Sequence, residues 1–258
     1  MRFLYIGDVV GRPGRQAVTT FVPALRGELV LDAVIVNCEN AAAGKGITPD
    51  LATDLLKHAD VLVSGNHVWQ YRAIEAYLDG EPRLVRPANY PNAPGRGSYV
   101  LTLRSGAKLG VIQVEGRVFM RNLDDPFTAI ERELKAMAGV RCIFVDAHCE
   151  ATSEKQALAW YFDGQVSAVI GSHTHVQTAD ERVLPGGTAF LTDAGMTGPY
   201  DSVIGMEVRA SIERFLTQRR TPHEVATGNT WLCGAVVEVD DETGKARSIK
   251  RVKRVLPA

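Results

Sequence analysis

Five short, largely apolar runs, spread over most of the 258 residues, each end in side chains able to bind a metal, and no other feature constrains the fold as tightly. Phe3-Leu4-Tyr5-Ile6 is followed by Gly7-Asp8, Val34-Ile35-Val36-Asn37 by Cys38-Glu39-Asn40, and Val61-Leu62-Val63-Ser64 by Gly65-Asn66-His67. Cys142-Ile143-Phe144-Val145 runs into Asp146-Ala147-His148, and Val166-Ser167-Ala168-Val169-Ile170 into Gly171-Ser172-His173-Thr174-His175. Such runs read as buried strands, the fifth ending in a glycine turn. In open α/β sheets the ligand crevice lies beyond the carboxyl ends of the strands, so ends far apart in sequence converge in space. One His-x-His is a weak signal, and its weight comes from the other four endings.

The chain is expected to form a single α/β domain over residues 1–258. With 45% hydrophobic and 23% charged residues and a formal net charge of −1, it has the composition of a globular protein and no basic excess for a general nucleic-acid surface. No apolar stretch approaches the ~20 residues that span a bilayer, so no membrane contact is expected. Met1-Arg2-Phe3 runs straight into a strand, and Asp8 interrupts any signal-peptide core. Cys38, Cys142, Cys149 and Cys233 form no CxxC pair and read as reduced thiols, which fits a cytoplasmic location. Cys38 and Cys149 adjoin Glu39 and His148, but buried thiols are their simpler reading.

Between these strand ends the chain alternates with helices. The turn Val9–Arg15 leads into helical spacing to about Leu25; Arg12 and Arg15 in it read as solvated rather than phosphate-binding. Asn40–Gly46 resembles a phosphate loop but lacks the Ser or Thr after Gly-Lys. Thr48-Pro49-Asp50 caps a helix to about His58. Residues 82–97, rich in proline, read as a long exposed loop near the site. Ser98–Leu103 and Lys108–Val114 form an antiparallel hairpin, so the sheets are mixed. Further helices are expected over 126–137, 154–162 and 206–216, and strands at 189–192, 233–239 and 247–255. The basic run from Lys245 to Arg254 reads as the solvated face of an edge strand.

Asp8, Glu39, Asn40, Asn66, His148, His173 and His175 supply three imidazoles and four oxygen-bearing groups. That is too many for one tetrahedral ion and about right for two; the mixed donors suit iron or manganese, with zinc as a third option. Two divalent cations against two carboxylates attract an anion, and a metal pair ~3.5–4 Å apart serves in-line displacement at phosphorus. The chemistry indicated is phosphoester hydrolysis. With Asn66 as ligand, His67 stands outside the metal shell, where a protonated imidazole donates to a leaving alkoxide.

Gly7-Asp8, Glu39-Asn40, Gly65-Asn66-His67, Asp146-Ala147-His148 and Gly171–His175, in that order, resemble the motif series of the calcineurin-like metallophosphoesterase superfamily. Two departures stand out: Val10 replaces the histidine of an Asp-x-His motif, and Glu39-Asn40 replaces a Gly-Asp pair. Together with Asn37–Ala41, His148–Lys155 and Thr192–Gly198, they resemble the bacterial YmdB-like branch. The resemblance implies a four-layer αββα sandwich with mixed sheets and a di-metal phosphodiesterase acting on 2′,3′-cyclic nucleotides such as 2′,3′-cyclic AMP through a metal-activated hydroxide. It places Asp8, Glu39, Asn40 and His175 on metal one and Glu39, Asn66, His148 and His173 on metal two, with Glu39 bridging and His67 as proton donor. Asn40 then substitutes for the imidazole absent at Val10. The implied partner is a small phosphodiester. A symmetric homo-oligomer is compatible with the sequence. A phosphomonoesterase or another phosphodiesterase on the same site, and a non-catalytic metal-dependent nucleotide-binding regulator, remain the alternatives.

Overall fold

A computed structural model describes residues 1–257. In chain order the elements are β1 (Arg2–Ile6), α1 (Gly11–Glu28), β2 (Ala33–Asn37), α2 (Pro49–Leu55), β3 (Val61–Val63), α3 (Ile74–Gly80), β4 (Leu84–Val85), β5 (Ser98–Thr102), β6 (Lys108–Glu115), α4 (Pro126–Ala136) and β7 (Cys142–His148). They continue with α5 (Thr152–Tyr161), β8 (Ala168–Ser172), β9 (Arg182–Val183), β10 (Ala189–Leu191), β11 (Gly198–Pro199), α6 (Val208–Thr217), β12 (Thr230–Val239) and β13 (Ala246–Val255). One sheet has the order β11-β12-β1-β2-β3-β4, with β13 on the free side of β12; the other runs β5-β6-β7-β8-β10-β9. Strands β1 to β4 are mutually parallel, as are β6, β7, β8 and β10, and antiparallel strands flank both sets.

The layers follow from the two-residue period of a strand. Phe3, Tyr5, Ile35, Val61 and Val63 of the first sheet pack with Val111, Phe144, Ala168 and Ile170 of the second, so these faces bury each other. Phe144 fixes the contact, its ring centroid 5.5 Å from that of Phe3 and 4.9 Å from that of Tyr5. The alternate residues Leu4, Ile6, Val34, Val36 and Leu62 point outward and are covered by Val18, Val22 and Leu25 of α1, Ala52 and Leu55 of α2, and Ile74 and Leu78 of α3. On the far side Ile112, Val114, Val145 and Val169 are covered by Ala129 and Ile130 of α4 and Leu158 of α5. The result is the expected helix–sheet–sheet–helix sandwich.

Two local expectations change. Residues 82–97 are not an exposed loop: they contain β4, and Arg86, itself buried, donates to the carbonyls of Pro87, Ala93 and Pro94 and folds the segment around its guanidinium. The fifth run does not stop at Gly171, because β8 continues through Ser172 and the turn starts at His173. Helix α6 forms where its periodicity predicts, yet buries no residue and leaves Ile212, Phe215 and Leu216 exposed. The basic strand β13 is an edge strand as expected, with Arg247 paired to Asp240, Arg251 to Glu181, and Lys253 over the Trp231 ring. All four cysteines are free and buried; burial pushes the Cys38 and Cys149 thiols well up, which disfavours the thiolate a metal would need. Among the described residues no helix is long and apolar enough to cross a membrane.

Candidate metal centre

The strand ends meet across the seam between the two sheets. His148, the last residue of β7, places its Nε2 2.9 Å from Asn66 Oδ1 beyond β3 and 3.8 Å from Glu39 Oε1 beyond β2. Its Nδ1 lies 3.8 Å from Asp8 Oδ1 beyond β1. Asp8 Oδ2 accepts the backbone N–H of His173 at 3.0 Å, the His148 and His173 rings are 4.8 Å apart, and His175 Nε2 lies 3.2 Å from Asn40 Oδ1. His67 follows Asn66 and holds its Nδ1 2.8 Å from Glu39 Oε1, misaligned for a hydrogen bond, while its backbone N–H donates to that oxygen at 2.5 Å. All eight residues singled out by sequence therefore lie in one contiguous cluster.

Hydrogen bonding fixes which imidazole nitrogens carry protons. Ser172 Oγ donates to Asp146 Oδ1 at 2.6 Å and so accepts from His148 Nδ1–H at 2.9 Å, leaving Nε2 bare. A carbonyl only accepts, so His175 Nδ1 donates to Ile204 O at 2.8 Å and its Nε2 is bare too. That atom faces Asn40 Oδ1, whose amide is oriented by donation from Nδ2 to Gly44 O at 2.9 Å. The site thus sets lone pair against lone pair, at His175 with Asn40 and at His148 with Asn66. In addition Asp8 Oδ1 and Glu39 Oε2 are buried without any hydrogen-bond partner. Buried acceptors in this arrangement are costly unless a cation lies among them.

Among the described residues no group of three or more His, Cys, Asp or Glu side chains is already closed into a metal-holding cluster. The donors pair with one another instead, and His173 Nε2 turns to Glu150 Oε2 at 3.1 Å. Electrostatics point the same way as the lone pairs. Burial pushes the Glu39 carboxyl well up and raises that of Asp8, although His175 opposes the latter. Burial also pushes His148 well down, and His173 down against the pull of Asp8, which keeps both rings in the neutral form that ligates metal. Two acidic groups without counter-charge beside neutral imidazoles fit divalent cations of borderline character.

Several supports of this centre were not singled out from the sequence. His173 and His175 both adopt left-handed backbone conformations, φ 92° and 67°, which are strained for residues with a side chain. Asp193, in the glycine-rich segment after β10, holds that turn by accepting Thr174 N at 3.1 Å and Thr174 Oγ1 at 2.7 Å. Lys155 of α5, fully buried, neutralises Asp193 at 2.7 Å. Arg15, expected to be solvated, instead donates to Ala41 O and braces the segment after Asn40. Gly65 must lack a side chain, since a Cβ there would stand 2.4 Å from His148 Nε2. Gly65→Ala is expected to displace the ring, lowering stability by about 1–3 kcal/mol and metal content with it; urea denaturation and metal analysis of the purified variant check this.

A family model described as "YmdB-like protein" matches residues 4–252. The chain is 50% identical over 257 residues to the "2′,3′-cyclic-nucleotide 2′-phosphodiesterase" of Bacillus subtilis strain 168, covering 98% of this chain and 96% of that one. A crystal structure of a hypothetical protein from Thermus thermophilus superposes with a TM-score of 0.93 at 42% identity, each chain fully covered. That of a novel phosphatase from Mycoplasma pneumoniae superposes with 0.92 at 33% identity, covering 99% of this chain and 93% of that one. Agreement of this extent in sequence and in backbone places the chain in the YmdB-like family.

Proposed function

We propose that the protein is a di-metal phosphodiesterase that opens 2′,3′-cyclic nucleotides. The observation that carries this reading is the facing of bare acceptors, His175 Nε2 with Asn40 Oδ1 and His148 Nε2 with Asn66 Oδ1, beside the unpartnered Asp8 Oδ1 and Glu39 Oε2. Its substrate is supported by the 50% identity to the Bacillus subtilis enzyme. Asp8, Glu39, Asn40 and His175 would hold one cation and Glu39, Asn66, His148 and His173 the other, iron or manganese suiting this mixed set best. When bound, the cations supply Lewis-acid stabilisation and a nucleophile at neutral pH.

The chain's own residues do the rest. Ser172 and Asp146 keep His148 in the tautomer that presents Nε2, and the Ile204 carbonyl does so for His175. Glu39 bonds the backbone of His67 and so fixes the position of that ring relative to the cations. His67 gives its proton to the ribose oxygen that leaves phosphorus. A formal net charge of −1 suits small anionic diesters held by the centre rather than nucleic-acid polymers held by a basic surface.

Protein reconstituted with manganese is expected to hydrolyse 2′,3′-cyclic AMP and to leave p-nitrophenyl phosphate nearly untouched. Asp8→Asn is expected to lose about one of two metal equivalents by elemental analysis and at least tenfold in turnover. Two bound metals with no turnover of the cyclic diester would overturn the assigned reaction, and full metal content in Asp8→Asn would overturn the ligand set.

A further inference from the structure

Two groups of residues adjoin His67, one closed and one hollow. In the closed group Glu115, fully buried, accepts from Tyr90 OH at 2.7 Å, and Tyr90 OH accepts from Arg121 Nη1 at 2.9 Å. In the other, a cavity of about 470 Å³ lies between α6 and the segments before and after it, residues 203–206 and 221–223. Its place beside the centre is fixed from two sides. Ile204, in its wall, is the residue whose carbonyl accepts from His175 Nδ1 at 2.8 Å, and it holds a left-handed backbone, φ 46°, that β-branched residues avoid. Met206, also in the wall, lies against Gly44: a Cβ at Gly44 would stand 3.4 Å from its Sδ and Cε, and one at Gly46 would stand 2.8 Å from the His67 carbonyl. Loop 44–46, with the half-buried Lys45 at its middle, therefore lies between the wall of the cavity and His67. His223, exposed in the lining, is near enough to Lys45, His67 and Arg214 for their charges to act on its ring.

The lining combines apolar and aromatic surface from Ile204, Met206 and Phe215 with cations at Arg214 and His223, and it contains no carboxylate. Phe215 is 73% exposed although it lines a concave wall, so one face of its ring is uncovered. Mostly apolar concavities with a few polar groups are the usual sites of small ligands. A contact between two copies of the chain over this face would set two positive linings against each other. In the reading proposed above, on which this inference rests, His67 protonates the oxygen that stays on the ribose, so the nucleoside lies on His67's side of the centre. There an aromatic ring can stack on a base of any kind, and a guanidinium can donate to the nitrogens and carbonyls of its edge. We propose that this cavity is a nucleobase subsite, in which the base stacks on Phe215 and Arg214 donates to acceptors at its edge.

Alanine substitution of an aromatic ring that stacks one base costs about five- to twentyfold in affinity. Metal-loaded Phe215→Ala is therefore expected to raise KM for 2′,3′-cyclic AMP by about that factor with kcat nearly unchanged. For glycerol 1,2-cyclic phosphate, which keeps the five-membered ring and has no base, both constants should match wild type. Arg214→Gln should raise KM for the nucleotide by about three- to tenfold. Leu216→Ala, on the same helix but outside the cavity, should leave both substrates unaffected; α6 buries no residue, so these changes leave the core intact. An unchanged KM for 2′,3′-cyclic AMP in Phe215→Ala, or an equal loss on the diester without a base, would overturn the subsite. Calorimetry with adenosine 3′-phosphate and glycerol 2-phosphate separates this from the reaction itself. A preference of wild type for the nucleotide that Phe215→Ala abolishes supports the subsite even if the cyclic diesters prove not to be substrates; no preference in wild type overturns the subsite while the phosphodiesterase stands. Sedimentation of the same proteins gives the remaining outcome: an oligomer that Phe215→Ala dissociates, with the preference for the nucleotide unchanged, would mean that α6 covers a second copy of the chain and would overturn the subsite.

Discussion

His67→Ala is expected to keep both cations and to lose about 10²–10⁴-fold of its turnover of 2′,3′-cyclic AMP. The two halves of that expectation have separate causes. His67 donates to Glu39 through its backbone N–H, which the substitution retains, whereas its ring is one-quarter exposed and its Nδ1, 2.8 Å from Glu39 Oε1, makes no hydrogen bond to it. In the reading proposed above, the lost step is proton donation to the leaving oxygen. Burial, and then Lys45, lower the affinity of this ring for a proton. An anionic diester beside it acts in the opposite sense. With the protonated ring as the competent form in that reading, the wild-type rate should fall as pH rises through the ring's pKa in the complex, and this limb should be missing from the His67→Ala profile. Equal metal loss in His67→Ala and Asp8→Asn would contradict the division of roles.

Lys155→Met is expected to destabilise the fold by about 3–5 kcal/mol, because it leaves the Asp193 carboxylate buried with its cationic partner removed. Both side chains are fully buried and 2.7 Å apart. Asp193 keeps Thr174 and Gly195 N as donors, but these dipoles do not neutralise it. Pairing Lys155→Met with Asp193→Asn removes both charges, so the double variant should be more stable than the sum of the single losses implies. Urea midpoints of the four proteins measure this coupling; strict additivity would show that the pair carries no special energy. The Thr174 turn presents His173 and His175, so Lys155→Met should also weaken metal retention without altering any ligand.

The strands were legible because apolar runs of four or five residues cut short by carboxylates, amides and imidazoles have few other readings. The cluster was legible for the same reason, since the carboxyl ends of parallel strands gather at one edge. Limits appeared where a residue's role depends on a partner distant in sequence. Nothing near Lys155 points to Asp193, 38 residues away, and nothing near Glu115 points to Tyr90. The seven-residue α3 is too short to display a period, and β4 lies hidden among prolines, its placement set by the buried Arg86. Helix α6 shows the converse: its apolar spacing gave the right element, but spacing alone does not tell whether that side meets the core.

The centre is assembled from both sheets, with Asp8, Glu39, Asn40 and Asn66 on one and His148, His173 and His175 on the other. Behind it Asn37 reaches across to Asp146 at 3.1 Å, and the interlocked faces around Phe144 leave no plane along which the halves can slide. Opening the catalytic floor would mean shearing the core, whereas the half-buried Tyr90 and the exposed Arg121 stand at its lip. A floor that cannot flex and a lip that can be rewritten are separable properties. Selection, or a designer, can change what this scaffold admits while leaving the chemistry beneath it untouched.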